Sequence, residues 1–376
     1  MDTENKTIFA AATPIGESSI SVIRISGKDA FSIVSKIFSR TRTQFERTDI
    51  ADSDSHRIEH GYIFVDGEVI DEVLISIFKS PKSFTGENCI EISTHGGAYV
   101  YRKVSDLLLK LGCAPAAPGE FSKKAFLNGK IDLTQAEAIA DLIRSKTELS
   151  YKAALGQLKG QLSDKIIELR EELINYCSLV ELELDFSEEG LELIKKEKLF
   201  SKIDKIINSI ENLTKTYESG RIIKNGINLA ITGKTNVGKS SIFNYLLNDN
   251  RAIVSNIPGT TRDYLQEPLV MGGLVFNLID TAGIRNTSNA IEKEGVERSF
   301  QKINESDITL NVMDLTSLNG YSKSSGNGSK AITVFNKADL SEKNLDGELC
   351  ISAKTGENMD ILQEKIVEKA KSLLHR

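Results

Sequence analysis

The stretch "INLAITGKTNVGKSSIFNYLL" (Ile227–Leu247) decides the fold of the C-terminal part of the chain. An apolar strand, "INLAIT", runs directly into "GKTNVGKSS", and a helical segment, "SIFNYLL", follows. The loop matches G-x-x-x-x-G-K-[ST] at Gly233, Gly238, Lys239 and Ser240. Glycines let backbone N–H groups wrap phosphates, and the helix N-terminus adds a positive dipole. Lys239 then reaches the β and γ oxygens, and Ser240 can ligate Mg²⁺. The nucleotide contacts expected from this loop are Asn236, Val237, Gly238, Lys239, Ser240 and Ser241.

Three further elements follow in the order expected of a G protein. "DTAG" (Asp280, Thr281, Ala282, Gly283) ends the strand "VFNLID", so Asp280 can support Mg²⁺ and the Gly283 N–H can sense the γ-phosphate. "NKAD" (Asn336, Lys337, Ala338, Asp339) and "SAK" (Ser352, Ala353, Lys354) end the next two strands. The Asp339 carboxylate can accept from the guanine N1–H and 2-amino groups, whereas adenine would leave it unpaired in a dry site. GTP is therefore favoured over ATP. The runs "INLAIT", "VFNLID", "ITLNVMD", "AITVFN" and "LCIS" alternate with helices, the pattern of a parallel sheet with crossover connections. The Ser/Gly-rich "DLTSLNGYSKSSGNGSK" reads as surface loop.

At 376 residues, 40% hydrophobic and 27% charged, the chain has length for two or three cores and no signature of disorder. Its net charge of -6 excludes bulk electrostatic binding of nucleic acid, so any RNA contact must use a local patch or a partner. No apolar run has membrane-spanning length and the N-terminus lacks a leader, so a cytoplasmic protein without membrane contact is expected. Cys89, Cys113, Cys177 and Cys350 form no C-x-x-C pair and read as buried thiols. His56 and His60 lie in a segment alternating like strands, which would not bring their rings together on a metal.

Residues 1–118 mix β-rich runs ("ISVIRIS", "GYIFV", "VLISIF") with helical ones ("DAFSIVSKIF", "YVYRKVSDLLLKLG"), as in a small α+β domain. Residues 119–219 are helical. Leu155, Leu158, Leu162, Ile166, Leu169, Leu173, Cys177, Val180 and Leu184 recur at three or four residues, on one face of one long helix. Leu199, Ile203, Ile206, Ile210 and Leu213 repeat the pattern, and both stripes read as bundle packing. Residues 220–376 form the α/β P-loop G domain.

Across residues 6–376 the chain resembles the MnmE (TrmE) tRNA uridine-modification GTPases. The resemblance rests on "ATPIGESSISVIRISG", "SFTGENCIEISTHGG", "PGEFSKKAFLNGKIDLTQAEAIADLI", "GKTNVGKSSIFNYLL", "IPGTTRD" and "DTAGIRNTSNAIEKEGVERS". It implies an α+β N-terminal domain (1–118) for tetrahydrofolate binding and dimerisation, a helical domain (119–219) and a Ras-like G domain of TrmE-Era-EngA type (220–376).

After "DTAG" many G proteins keep a water-orienting Gln, and here the residue is Ile284. By resemblance, Glu292 takes over that role through a bridging water, a task suited to a carboxylate. The first switch, "NIPGTTRD", supplies Thr261 for Mg²⁺ and γ-phosphate, with Ser255, Asn256, Ile257, Pro258, Gly259 and Thr260 around the nucleotide. In the resembled family that loop and a P-loop Asn hold K⁺, here matching Asn236 with Ser255, Ile257 and Thr260. A monovalent cation on the phosphates can neutralise developing charge in place of an arginine finger. Arg262 and Arg285 are read as loop anchors or dimer contacts.

The resemblance further implies a homodimer binding a one-carbon tetrahydrofolate (5-formyl or methylene form) through Arg24, Glu87 and Lys130. It also implies a FAD-containing partner, MnmG, in a heterotetramer-type complex, and attachment of an aminomethyl-type group at C5 of the tRNA wobble uridine. Family members continue past the G domain with a helical segment ending in C-x-G-K. This sequence stops at "EKIVEKAKSLLHR", so GTP hydrolysis is expected to survive and full modification to need the further segment. The competing reading is a G-protein switch in ribosome or complex assembly; "FTGEN" and "PGEFSKKAFLNGK" argue against it, having no reason to occur there.

Overall fold

A computed structural model describes residues 6–186, 195–250, 266–280, 306–317, 330–341, 345 and 347–374. The chain divides into two compact units, Met1–Glu137 and Ala138–Arg376.

Period-two alternation builds the first unit. Ile23 and Ile25 of β2 (Ile20–Ser26) are fully buried while Arg24 between them emerges on the other face. The partners do the same: Ile75 and Ile77 in β5 (Glu68–Phe78), Ile90 and Ile92 in β6 (Cys89–His95). With β1 (Ile8–Ala11), β3 (Phe38–Ser39), β4 (Arg57–Val65) and β7 (Ala114–Pro115) they form a seven-stranded sheet ordered β3-β4-β5-β6-β2-β1-β7. Every pairing in it is antiparallel except β1 with β7. The buried face packs on α1 (Ala30–Val34) and α2 (Ala98–Lys110) through Phe31, Val34, Val104 and Leu108. Each such side chain contributes roughly 1.5–3 kcal/mol of apolar burial. The helical stretch "DAFSIVSKIF" shrinks to five residues because Phe38 turns into β3 opposite Ile63. Next come α3 (Glu120–Leu127) and α4 (Leu133–Arg144).

In the second unit the single long helix expected from the leucine stripe is two helices, α5 (Glu148–Leu158) and α6 (Gln161–Asp185). Gly160 between them is left-handed at φ 85°, a conformation that ends one helix and that a residue with a Cβ adopts only under strain. The α6 stripe is also not buried: Leu162, Ile166, Leu173 and Leu184 are exposed, from 38% at Leu162 to 68% at Leu184, and Leu169 and Val180 are half-buried. Cys177 on it is exposed, and Cys350 only half-buried, against the expectation of buried thiols; Cys89 and Cys113 are buried. Burial pushes those two thiols up, to about 12 and about 11. The second stripe forms α7 (Lys196–Lys215), with Ile206 buried, and α8 (Tyr217–Asn225) leads into the G domain.

The G-domain sheet comprises β8 (Ile227–Gly233), β9 (Gln266–Met271), β10 (Leu274–Asp280), β11 (Ile308–Asp314) and β12 (Ala331–Asn336), ordered β12-β11-β8-β10-β9. Four strands are parallel; β9 joins antiparallel through the turn at Gly272 and Gly273. "LCIS" contributes a single bridge, Phe335 to Cys350, rather than a strand, since the chain crosses β12 only briefly before turning at Ser352. Helices α9 (Lys239–Asn250) and α10 (Met359–Leu374) close a core centred on Leu229, Ile231, Phe276, Leu310, Val334, Leu362 and Ile366.

Candidate functional site

The C-terminal ends of β8, β11 and β12 carry the residues expected to hold the nucleotide, at the end of the sheet where ligands gather in parallel α/β folds. At the end of β8 the backbone of Gly233 passes so close to β11 that a Cβ would stand 2.3 Å from the Val312 carbonyl. Asn236 turns left-handed at φ 60°, and Val237 behind it enters the core. Asn236, Ser240 and Ser241 are exposed, while Lys239 is buried. The Lys239 ammonium, at the far end of the P-loop where α9 begins, reaches back across it to donate to the Gly233 and Lys234 carbonyls at 3.1 and 2.7 Å.

Asn336, the last residue of β12, fastens the three loops together. Its Nδ2 donates to the Val237 carbonyl at 2.8 Å and its Oδ1 accepts from the Ala353 N–H at 3.1 Å. The side chain is 4% exposed, so both bonds act in a low-dielectric setting. Gly238 passes so near that a Cβ there would lie 2.1 Å from that Nδ2. The buried Ser352 hydroxyl donates to Asp339 Oδ1 at 2.7 Å, and the Ala338 N–H to the Ile351 carbonyl at 3.0 Å. Asp339 is itself exposed at the mouth. Lys337 sits left-handed at φ 71° with its ammonium 2.5 Å from Asp314 Oδ2. Burial by itself would raise the Asp314 pKa, but hydrogen bonds from Lys337 and Thr316 outweigh it and hold the carboxyl below its ordinary range.

The structure therefore brings Asn236 to Ser241, Asn336 to Asp339 and Ser352 to Lys354 to one end of one sheet. Asp280 closes β10. Ser255, Asn256, Ile257, Pro258, Gly259, Thr260, Thr261, Thr281, Ala282, Gly283 and Glu292, with Arg262, Ile284 and Arg285, lie outside the described residues. Asp314 was not singled out from sequence; its sole signal was its place at the end of an apolar strand.

In the first unit, Arg24 and Glu91 face each other across β2 and β6, with Nη2 2.7 Å from Oε1. The Arg24 guanidinium also lies 5.4 and 5.7 Å from the ring centres of Phe84 and Phe121. Glu87 accepts from the Ser26 hydroxyl at 2.8 Å and from the buried Lys124 ammonium at 2.8 Å. Ser26 meets Thr85 at 2.7 Å, and Asn128 donates to the Thr85 carbonyl. Lys130 donates to the Pro81 carbonyl at 3.1 Å, and its stem packs beside Gly86. Arg24, Glu87 and Lys130 thus all belong to the layer formed by β2, the loop before β6, and α3 with the turn after it. Lys124, Glu91, Phe84 and Phe121 escaped sequence reasoning, because nothing in "EFSKKAF" tells a buried lysine from a solvated one. His56 and His60 are apart: His60 pairs with Glu72, and His56 meets the Phe78 ring. Among the described residues no helix is long and apolar enough to cross a membrane.

A P-loop continuous with a parallel sheet, with an Asn/Lys/Asp turn and a Ser/Ala/Lys turn locked to it, defines a GTP-hydrolysing enzyme of the G-domain class. Residues 7–130 match the GTP-binding protein TrmE N-terminus, and residues 133–375 the MnmE helical domain. The chain belongs to the MnmE family. It is 46% identical over 308 residues to the tRNA modification GTPase MnmE of Flavobacterium johnsoniae, 82% of this chain and 65% of that protein. The proteins of the same name from Carboxydothermus hydrogenoformans and Bacteroides thetaiotaomicron are 40% and 41% identical. Those matches cover 96% and 97% of this chain, and 81% and 82% of theirs.

Proposed function

We propose that the chain is a potassium-dependent GTP hydrolase of tRNA modification. It acts with MnmG to add a carboxymethylaminomethyl-type group at C5 of the wobble uridine of certain tRNAs. The observation that supports this most is the pair of hydrogen bonds that Asn336 makes to the P-loop and to Ala353, an arrangement suited to a guanine pocket in a chain of this family. In this reading Asn236 to Ser241, Asn336 to Asp339 and Ser352 to Lys354 hold the nucleotide, with the switch residues Ser255 to Thr261 and Asp280 to Gly283.

The exposed oxygens of Asn236 and Ser240 at the P-loop mouth fit cations against phosphate. Ser240 and Thr261 would hold Mg²⁺, and Asn236, Ser255, Ile257 and Thr260 would hold K⁺. When bound, these ions supply positive charge against the phosphate oxygens as the terminal bond breaks. Lys239 leaves its two carbonyls for the β and γ oxygens, and Glu292 orients water through a bridging water. Ile284 leaves that role to Glu292.

In the first unit, a guanidinium between two rings beside a paired carboxylate and ammonium fits a flat, polar, anionic ligand. We assign Arg24, Glu87 and Lys130 to one-carbon tetrahydrofolate, which supplies the carbon for uridine C5. We assign 1–118 to folate binding and homodimerisation, 119–219 to the helical domain and 220–376 to the G domain. The protein works in the cytoplasm, as a homodimer in a heterotetramer-type complex with MnmG.

Hydrolysis by the purified chain in KCl against NaCl, together with wobble-uridine analysis of tRNA from depleted and rescued cells, tests this reading. Stimulation by K⁺ alone, a Glu292→Ala turnover about 100-fold or more lower with GTP affinity kept, and loss of the modification on depletion are expected. Equal rates in the two salts would overturn the cation role, and a wobble-uridine modification that persists undiminished on depletion would overturn the tRNA role.

A further inference from the structure

Asp314 ends β11 in register with Asn336, the last residue of β12. Its two carboxylate oxygens do separate things. Oδ1 accepts from the Thr316 N–H at 2.9 Å and the Thr316 hydroxyl at 2.6 Å, which fixes the carboxylate plane. Oδ2 takes the Lys337 ammonium at 2.5 Å. Lys337 directly follows the amide that locks the P-loop and lies two residues before the carboxylate at the pocket mouth, and its backbone is already held left-handed. The Leu340 N–H bonds to its carbonyl and the next residue's N–H bonds to Ile351, so both sides of the turn are pinned. A free lysine there would sample many rotamers and lose that freedom when a base docked. Tethered at its tip, its four-carbon stem is a preformed apolar wall running from Asn336 toward Asp314.

We propose that Asp314 is a positioning residue for guanine: it holds the Lys337 side chain as a fixed wall of the base pocket and so sets nucleotide affinity without touching the nucleotide. This rests on the reading of Asn336–Asp339 as the guanine loop. The carboxylate acts through Lys337, so the two residues must behave as one unit, and the effect belongs to binding rather than to the hydrolytic step.

The test uses the full chain and titration with a fluorescent GDP, alongside steady-state GTP hydrolysis. Asp314→Asn, nearly isosteric and able to keep the Thr316 contacts, should weaken GDP about 10-fold, or about 1.4 kcal/mol. Its kcat should stay within about two-fold of the parent while KM rises. Lys337→Met, which keeps a stem but no charge, should lose a similar factor, and the double variant should lose no more than either single one. Asp314→Glu should recover much of the affinity. Unchanged GDP affinity in Asp314→Asn, a fall in kcat instead of a rise in KM, or losses that multiply in the double variant would each overturn the proposal. Should Asp314→Asn fail to fold, the same cycle on Asp314→Ser and Lys337→Met decides it. Asp339→Asn is the control: an amide there should exchange guanine for xanthine preference, because xanthine carries an oxo group where guanine carries the amine. If that preference does not move, the guanine-loop reading itself fails and takes the proposal with it; if it moves while Asp314→Asn has no effect, only the role of Asp314 is lost.

Discussion

Gly238 shows how one missing Cβ controls the pocket. Its φ is 95° and the space for a methyl is filled by the Asn336 amide, so Gly238→Ala incurs left-handed strain and displaces a buried hydrogen bond. Those two effects sum to about 2–5 kcal/mol. Chemical denaturation should show a loss in that range and GDP titration a large fall in affinity; a variant that binds normally would mean that Asn336 does not lock the P-loop. A second residue-scale device lies on the N-terminal sheet, where the His95 ring donates from Nδ1 to Asp71 Oδ1 at 2.7 Å, and the His95 backbone N–H donates to Oδ2 at 2.8 Å. The hydrogen bond and charge of Asp71 raise the His95 pKa above its ordinary value. A raised folded-state pKa means that the stabilisation is fully present below the unfolded pKa and disappears as pH climbs through the folded one. Imidazole titration by NMR should therefore give His95 a midpoint above the ordinary histidine value, returning toward it in Asp71→Asn. A midpoint unmoved by that substitution would assign the shift elsewhere.

Between elements, the break at Gly160 separates two readings of the same leucine pattern. In one continuous helix, Gly160→Ala would stabilise by removing chain entropy from the unfolded state; at the left-handed junction of α5 and α6 it must cost about 1–2 kcal/mol. Urea unfolding gives the sign directly, and a more stable alanine variant would restore the single helix. The case shows what was legible and what was not. Period-3.6 spacing identified the helical stretch, yet it continues in phase across Gly160, so only the backbone angle reveals the joint. The P-loop strand, its loop and α9 were legible because all their information is local: an apolar run, two glycines at a fixed spacing and a helix start. The antiparallel β9 was not, since it depends on a two-glycine turn packed against Val367 of α10, far along the chain. Asn336, Asp314 and Lys124 share that limitation. Their chemistry was visible as letters, but their partners Val237, Lys337 and Glu87 lie 99, 23 and 37 residues away in the chain, a separation no periodicity encodes.

At the scale of the whole chain, the two units carry separate cores. One is built on Ile23, Ile25, Ile75, Ile77, Ile90 and Ile92, and the other on Leu229, Ile231, Phe276, Leu310, Val334 and Ile366. All the described residues proposed to hold the nucleotide fall in the second unit, and Arg24, Glu87 and Lys130, proposed to hold folate, in the first. A ligand stabilises only the cooperative unit that binds it, by an amount fixed by its concentration over its Kd. GDP at about 100 times its Kd therefore adds about 2.7 kcal/mol to the G-domain unit. Calorimetry of the intact chain should resolve two transitions, of which GDP raises one by several degrees and leaves the other in place. A folate carrying its polyanionic tail should do the reverse, acting on the transition that GDP leaves unmoved. Assignment needs no fragment: Gly238→Ala should abolish the GDP-dependent shift alone, and Arg24→Ala the folate-dependent one alone. A single transition that both ligands raise equally would mean that the two cores unfold as one cooperative body, and that nucleotide and folate then stabilise each other's sites through it.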